Sequence, residues 1–189
     1  MKQRELLDFL RKLECLKTNG RHSTTAGGIT ETVAAHSWRL AVFAMLVSPE
    51  FPELDGNKLL RMCLVHDFGE AITGDIPSFL KTKEHEATED NAVKALLSTL
   101  PEPHRTELTT LFAEMDAQET KEARLYKALD KLEAVIQHNE SDIGTWLPLE
   151  YDLQQTYAVE NASEFPYLKE LRALMLQDTI KKIEDAKEK

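Results

Sequence analysis

Residues 62–77 read MCLVHDFGEAITGDIP, and this segment joins an apolar run to a polar turn. The run Met62–Val65 has the continuous apolar character of a buried helix, and the glycine and proline further on break helical structure. Buried helices normally end in small or capping residues, but here His66 and Asp67 follow the run. An imidazole nitrogen and a carboxylate oxygen are ligands that divalent transition metals accept. The segment therefore predicts half of a metal site at the end of a buried helix.

Two further donors are needed, and two other predicted helices supply candidates. His36 and Asp130 each lie in an otherwise apolar helical stretch. Taken alone, His36 is more often a core histidine, and Asp130 has a salt-bridge alternative with Lys131 or Arg124. A buried aspartate nevertheless needs a partner, and a cation would provide one. Three separate helices that each place a polar donor on an apolar face together favour a shared metal ion.

Helical periodicity dominates the rest of the chain, and no alternating strand pattern of useful length is present. The fold class that this predicts is all-α, in a single domain over residues 1–189, with about eight or nine helices. A glycine- and threonine-rich loop is expected over residues 17–32. Helices are expected over residues 3–16, 32–47, 57–69, 83–100, 104–115, 120–140, 149–159 and 165–186. In the second helix, the residues expected to face the core are Val33, Leu40, Val42, Phe43, Met45 and Leu46.

Composition limits the partners. The 189 residues carry a formal net charge of −10, which argues against a nucleic-acid polymer because such binding needs a basic face. A small phosphorylated substrate remains possible, since a metal and a few local cations can neutralise it. The two cysteines, Cys15 and Cys63, form no metal-type pair and favour the reducing cytoplasm. No apolar run approaches the ~20 residues needed to span a bilayer, so no membrane partner is expected.

The segment His66–Pro77, together with Glu31–Ser37 and the spacing of the four donors, resembles the HD superfamily of metal-dependent phosphohydrolases. Within it, the chain is similar to the 5′-deoxynucleotidase branch over about residues 5–180. The resemblance implies a helical HD-domain bundle, a homodimer, and a nucleoside 5′-monophosphate as the small-molecule substrate. It also implies one divalent metal, held by His36, His66, Asp67 and Asp130. Such a mixed nitrogen and oxygen set suits Mn, Co, Fe, Ni or Zn better than Ca.

The same resemblance implies roles for three further residues. Glu70, one helical turn after Asp67, would orient or deprotonate the attacking water. Asp75 would position the leaving 5′ oxygen or donate a proton to it, and Arg21 would bind the phosphate. The alternatives are ordinary ones: a solvated helix-end charge for Glu70, a turn aspartate for Asp75 and a surface arginine for Arg21.

Two departures from the branch concern substrate selection. His22 stands where a tryptophan can follow the arginine and help to select sugar or base, which puts deoxyribose selectivity in doubt. Ala35 replaces an acidic residue that often precedes the first histidine. Lys81 is a further candidate for phosphate binding, although a solvated lysine is the simpler interpretation.

Other functions remain open at this level. The chain could hydrolyse nucleoside triphosphates or alarmones, or it could be a di-iron oxygenase of the same superfamily. The oxygenase would need extra histidines, but His85 and His104 lie in polar or helix-start positions that are typical of surface residues. The Gly-Tyr-Pro motif of the cyclic-dinucleotide class does not occur. A scaffold with a structural metal is a third possibility, although such sites are usually closed by protein ligands alone.

Overall fold

Helix α7 forms the centre of the molecule, because nine of its residues are buried and it packs against several other helices and the strand β1. The computed structural model describes residues 1–188. In them, the α-helices are α1 (Gln3–Leu13), α2 (Val33–Val47), α3 (Gly56–Val65), α4 (Glu70–Thr73), α5 (Lys83–Leu97), α6 (His104–Ala117), α7 (Lys121–Glu140), α8 (Glu150–Thr156), α9 (Val159–Ser163) and α10 (Pro166–Lys187). The strands are β1 (Gly20–Thr24) and β2 (Thr30–Thr32). Single 3₁₀ turns cover Glu14–Lys17, Ser48–Glu50 and Ile143–Thr145.

The predicted all-α class is confirmed, and the helix count differs for a simple reason. Ten α-helices lie within residues 1–188, but α4 and α9 have only four and five residues. Pieces this short carry too few apolar positions to show a helical period in the sequence. The longer helices begin and end within a few residues of the predicted bounds. Helix α10, for example, covers Pro166–Lys187, where residues 165–186 were expected.

The loop that was expected over residues 17–32 is in large part a β-hairpin. β1 pairs antiparallel with β2, with Gly20 opposite Thr32 and Thr24 opposite Thr30. The threonines of this stretch favour extended backbone, and Gly28 adopts a left-handed φ of 77° in the connecting turn. The Gln137 side chain on α7 donates a hydrogen bond to the Thr24 carbonyl at 2.7 Å. The hairpin is therefore bound to the central helix by a side-chain hydrogen bond.

Helix α3 ends earlier than predicted, and this break shapes the site. The prediction ran to residue 69, whereas α3 ends at Val65 and α4 begins at Glu70. Gly69 lies in the turn between them, where α5 approaches closely. A Cβ at Gly69 would lie 2.7 Å from Glu89 Cγ and 3.1 Å from the Glu89 carbonyl oxygen. The missing side chain therefore lets the turn that carries His66 and Asp67 sit against α5.

Helix α2 is apolar on its outer face as well as its inner one. Val33 and Leu40 are fully buried, as predicted, but Met45 and Leu46 are 52% and 68% exposed, so their predicted core positions were wrong. The helix carries apolar residues around most of its circumference, and a single-sided pattern cannot be extracted from such a segment. Among the described residues, no helix is both long enough and apolar enough to cross a membrane.

Candidate metal centre and substrate cavity

Three helices bring the four predicted metal donors together. His36 lies in the first turns of α2, whose N-terminus is capped by the Thr32 hydroxyl. His66 and Asp67 follow directly after α3, and Asp130 lies in the middle of α7. Because α2, α3 and α7 all pack on one another, side chains that are up to 94 residues apart in sequence meet in one place.

The distances between these donors match a shared ion. His36 Nε2 lies 3.3 Å from His66 Nε2, 3.2 Å from Asp130 Oδ1 and 4.0 Å from Asp67 Oδ2. His66 Nε2 lies 3.0 Å from Asp67 Oδ2 and 3.6 Å from Asp130 Oδ1. Donor atoms that share one ion at bond lengths of about 2.0–2.2 Å are roughly 3–4 Å apart. The four side chains therefore have the spacing of a coordination shell.

The hydrogen bonds on the far side of each imidazole support the same conclusion. His66 Nδ1 donates to the Cys63 carbonyl at 2.9 Å, and His36 Nδ1 pairs with the Glu133 carboxylate. Each ring thus presents Nε2 to the other ring and to the two aspartates. Arg21 and Lys127 pair with Asp67 and Asp130 from outside the cluster, and a cation between the donors would bind the facing nitrogen and oxygen atoms directly. This donor set fits a divalent cation.

The electrostatics of the centre show the same demand for positive charge. Burial alone would lower the pKa of His66, but Asp67 and Asp130 outweigh it and raise that pKa to about 10. Burial alone would raise the pKa of Asp67, but the charge of His66 outweighs it and holds that pKa well below its usual range. The raised pKa of His66 favours its protonated form without a metal, and a bound cation would compete with that proton.

Glu70 lies beside this centre at the start of α4. Its backbone amide donates to the Asp67 carbonyl at 3.0 Å, so the two residues share one turn. The side chain is 4% exposed, and its Oε2 atom has no hydrogen-bond partner among the described residues. Burial raises the pKa of Glu70 to about 9, and the charges of Asp67 and Asp75 act in the same direction. Glu70 is therefore a buried carboxyl that can hold a proton next to the metal donors.

Arg21 reaches the centre from strand β1. Its Nη1 atom lies 3.3 Å from Asp67 Oδ2, and its Nε atom lies 3.3 Å from Glu31 Oε2. Glu31 in turn accepts a hydrogen bond of 2.7 Å from the Ser23 hydroxyl. The hairpin thus supplies both the arginine and the buried carboxylate that holds it. The guanidinium is oriented toward the metal donors, where a phosphate group could bind it.

A cavity of about 530 Å³ opens onto these groups, and its size suits a mononucleotide. Burial raises the pKa of Asp75, while Arg21 and the backbone amide of His22 oppose this rise. Lys81 pairs with Glu89 at the wall of the cavity. The predicted substrate-side residues that line it are Arg21, His22, Glu70, Asp75 and Lys81.

The structure also shows three buried carboxylates that sequence reasoning missed. Glu31 pairs with Arg21, and Glu133 pairs with His36. Glu150 is hydrogen-bonded to His138 at 2.9 Å, and its Oε1 atom lies 3.1 Å from His22 Nε2. Glu133 follows Asp130 by one helical turn, and an acidic residue inside the apolar stripe of α7 was an available signal. Glu31 lies in the short strand β2, which the sequence did not predict, and Glu150 begins α8, where acidic residues are ordinarily solvated. The sequence therefore carried no such signal for them.

The two histidines that a di-iron site would need lie elsewhere. His85 completes the N-terminal cap of α5, where its Nδ1 atom accepts a hydrogen bond from the Thr82 amide at 3.3 Å. His104 begins α6. Neither lines the cavity of about 530 Å³ described above. The single-ion arrangement of His36, His66, Asp67 and Asp130 remains the prediction.

Comparison with known proteins identifies the family. Residues 13–172 match the HD domain family. Human 5′-deoxynucleotidase HDDC2 is 35% identical over 141 residues, which cover 72% of this chain and 68% of that protein. The 5′-deoxynucleotidase YGK1 of Saccharomyces cerevisiae is 32% identical, over 69% of this chain and 64% of its own length.

A solved structure from Magnetospirillum magnetotacticum, described as a predicted metal-dependent phosphohydrolase, superposes with a TM-score of 0.79 at 26% identity. The superposition covers 95% of this chain and 93% of that one. The same helical framework therefore accompanies both the sequence match and the four converging donors. The chain belongs to the HD domain family and groups with its 5′-deoxynucleotidase branch.

Proposed function

We propose that this protein is a metal-dependent 5′-nucleotidase that releases phosphate from nucleoside 5′-monophosphates. The observation that carries the proposal is the convergence of two histidines and two aspartates, because both aspartates line one cavity together with Arg21, Glu70 and Asp75. The human and yeast relatives are named 5′-deoxynucleotidases, an activity that falls within this class, and the chain covers about two thirds of each. Hydrolysis of a triphosphate or an alarmone is the alternative outcome of the test below.

The protein's own residues account for binding and orientation of the phosphate. A divalent cation, when bound, would act as a Lewis acid toward the phosphoryl group and lower the pKa of water at the site. Arg21 binds two phosphoryl oxygens through its guanidinium and stabilises the charge that develops on them. Asp67 and Glu31 keep the guanidinium in place before the substrate arrives.

Proton transfer falls to the two carboxyl groups beside the donors. Water attacks phosphorus, the bond between phosphorus and the 5′ oxygen breaks, and the departing oxygen needs a proton. A cation bound at the neighbouring donors would lower the raised pKa of Glu70, so that its carboxylate orients the water and accepts its proton. Asp75, whose pKa burial raises, donates a proton to the 5′ oxygen. Glu70, Asp75 and Arg21 all line the same cavity, which supports their action on one phosphate group.

Two more residues complete the proposed substrate site. His22 lies edge-on to Phe79, with ring centroids 5.3 Å apart, and forms part of the wall of the cavity. We assign it to the sugar of the nucleotide, next to the phosphate held by Arg21. Lys81 adds positive charge at the phosphate end, because it lines the same cavity and is only partly exposed.

The experiment that tests the function is a phosphate-release screen on chelated protein. Ribo- and deoxynucleoside 5′-monophosphates, triphosphates and an alarmone are offered with Mn²⁺, Co²⁺, Fe²⁺, Ni²⁺, Zn²⁺ or Mg²⁺. Release from monophosphates that requires one of the transition metals supports the proposal. Nitrogen ligands are the reason to expect Mn, Co, Fe, Ni or Zn over Mg, which prefers oxygen.

Two variants test whether phosphate release depends on the proposed metal donors. Asp67→Ala should abolish release, whereas Asp178→Ala, on the exposed face of α10, should retain it. Turnover of triphosphates or alarmones alone would replace the proposed substrate class with the alternative. Full activity of Asp67→Ala would end the proposal as a whole.

The assembly that we propose is a homodimer that pairs through the outer face of α2. Trp38, Met45 and Leu46 on this helix are 66%, 52% and 68% exposed, and Val42 shares their face. Exposed apolar faces of this kind mark protein interfaces. Light scattering should give a dimer for the wild type and a monomer for Trp38→Glu.

The matched control for the assembly is Leu174→Glu, which places the same charge on the exposed face of α10 and should leave the dimer intact. A monomeric wild-type protein would refute the assembly without touching the activity.

We also propose that the protein works in the cytoplasm, because its two thiols, Cys15 and Cys63, are free and such thiols suit a reducing compartment.

A further inference from the structure

One ligand histidine is held by a buried carboxylate that belongs to no predicted site. Glu133 lies on α7 one turn beyond Asp130, and it is fully buried. Its Oε2 atom pairs with His36 Nδ1, across 97 residues of sequence. Its other oxygen, Oε1, accepts a hydrogen bond of 2.6 Å from Arg39 Nε. Both oxygens of this carboxylate are therefore engaged by side chains from α2.

The contacts among His36, Glu133, Arg39 and Glu140 run in sequence between α2 and α7, and we call this set of contacts the ladder. On α2, Arg39 follows His36 by three residues, and on α7, Glu133 follows Asp130 by three residues, so each pair occupies one face of its helix. At the outer end, Arg39 Nη1 lies 2.5 Å from Glu140 Oε2 near the surface. A buried carboxylate is costly unless it is paired and hydrogen-bonded, and this one has both kinds of partner.

The structure assigns Glu133 as a positioning residue that keeps the Nδ1 proton on His36, directs its Nε2 lone pair toward the metal, and is itself anchored by Arg39. Carboxylates that accept the outward proton of a ligand histidine fix its tautomer and ring orientation and increase its basicity. The inference rests on the proposed metal site but not on the identity of the substrate.

The two histidines of the proposed metal site differ in the partner of Nδ1. His66 Nδ1 donates to the carbonyl of Cys63, three residues earlier in the same stretch of chain. That arrangement is local and uncharged, so it is present wherever α3 forms. The orientation of His36 depends instead on a charged side chain from a distant helix, and only the packing of α2 on α7 supplies it.

A purely structural role is the competing explanation, because Glu133 also joins α2 to α7 through Arg39. The two roles differ in what they predict for metal binding. If Glu133 only joins helices, its loss should lower the stability of the metal-free protein and leave metal affinity per folded molecule unchanged. If it positions His36, metal affinity should fall even where the fold is retained.

The test is a titration of chelated protein with Co²⁺, followed by calorimetry and by the visible absorption of the bound ion. Glu133→Gln should bind Co²⁺ about 10–100-fold more weakly than wild type and show an altered absorption spectrum. Glu133→Asp, which keeps the charge, should recover part of this loss. Glu140→Gln, at the exposed end of the ladder, should bind Co²⁺ as wild type does.

A second control tests whether a loss of stability by itself lowers the affinity for the metal. Thr179→Val removes a buried hydroxyl on α10 that bonds to Asn139, away from the metal donors, and should lower the melting temperature but not the affinity for Co²⁺. Wild-type affinity and spectrum in Glu133→Gln would overturn the proposal, as would an affinity loss of equal size in Thr179→Val.

A measurement on the unmodified chain covers the case in which the Glu133 variants fail to fold. Nitrogen-15 NMR of the Zn²⁺-loaded wild-type protein should show a slowly exchanging proton on His36 Nδ1, shifted downfield by the carboxylate. A rapidly exchanging Nδ1 proton, or a ring bound through Nδ1, would refute the assignment. A protein that binds metal in this way but releases no phosphate would overturn the proposed function alone.

Discussion

Arg21 is the cation on which the proposed phosphate site depends. Its side chain is 17% exposed and lies between Glu31 and Asp67, each 3.3 Å away. Two carboxylates already compensate its charge, so an incoming phosphate binds a guanidinium whose position is fixed in advance. Preorganised donors of this kind contribute more to catalysis than flexible ones, because they do not have to reorganise during the reaction.

We expect Arg21→Ala to lower kcat/KM for a nucleoside monophosphate by about 10²–10³-fold. Arg21→Lys should recover only part of the loss, because an ammonium group cannot bind two phosphoryl oxygens in one plane. Steady-state phosphate release measures both values. The control is Arg61→Ala, which removes an exposed arginine on α3 whose nearest carboxylate is 3.8 Å away. Full activity in Arg21→Lys would contradict the bidentate role.

His22 offers a test of sugar selection. Its side chain is 34% exposed and its Nε2 atom is held 3.1 Å from Glu150 at the cavity wall. In His22→Trp, the larger indole should fill the space beside the sugar and exclude the extra 2′ hydroxyl of ribonucleotides. The ratio of deoxy to ribo kcat/KM should then rise by roughly tenfold or more, within the range that steric discrimination in a pocket achieves.

The comparison for this prediction is His104→Trp, which adds the same ring at the start of α6, outside the cavity. Parallel kinetics on dAMP and AMP give the ratio for both variants. An unchanged ratio in His22→Trp would remove His22 from the sugar site and leave the phosphate site untouched.

Sequence reasoning at this scale depended on residues whose type conflicts with their surroundings. His36, His66 and Asp130 were noticed because each is polar in an apolar stretch, and the structure brings them within 3.6 Å of one another. Glu133 met the same criterion and was overlooked. Glu31 gave no such signal, because its burial arises from a hairpin that the sequence did not predict.

At the scale of elements, the turn between α3 and α4 controls where His66 and Asp67 lie. We expect Gly69→Ala to reduce the free energy of unfolding by about 1–3 kcal/mol, a typical cost of overpacking. The added methyl would meet Glu89 Cγ at 2.7 Å and the Glu89 carbonyl at 3.1 Å, so α5 must shift. Urea denaturation of the metal-free protein measures the change.

Gly27→Ala serves as the matched substitution, since the nearest atom to its added methyl is 3.9 Å away, at Thr25 Oγ1. We expect it to stay within about 0.5 kcal/mol of wild type. Equal stability of the two variants would mean that α5 can move aside at no cost. In that case the close approach at Gly69 does not fix the turn.

The elements also show where sequence patterns lose information. Helices α5, α6, α7 and α10 were predicted because each repeats apolar residues over three turns or more. The hairpin was missed because its strands have only five and three residues and little alternation. The end of α3 was misplaced because a close contact with α5, a partner distant in sequence, decides it.

At the scale of the whole molecule, the metal donors join three helices that the chain visits far apart. His36 on α2, the His66–Asp67 pair after α3, and Asp130 on α7 face one another within the centre. On its outer side, Asp67 pairs with Arg21 at 3.3 Å and Asp130 pairs with Lys127 at 3.0 Å. Without a cation, their carboxylates and imidazoles must share protons instead. A bound ion would link the helices directly and stabilise the folded chain over the unfolded one, in which the four donors are separated.

We therefore expect a metal-dependent rise in thermal stability. At a free metal concentration of 100 times Kd, binding should add about 2.7 kcal/mol, which corresponds to a rise in Tm of roughly 5–10 °C for a domain of this size. Scanning calorimetry of chelated protein with and without Mn²⁺ measures it. Asp130→Asn should lose the rise, because one donor of the shell is weakened, whereas Asp178→Asn should keep it. If the Tm of the wild type is the same with and without Mn²⁺, the four donors do not share an ion, whatever their spacing.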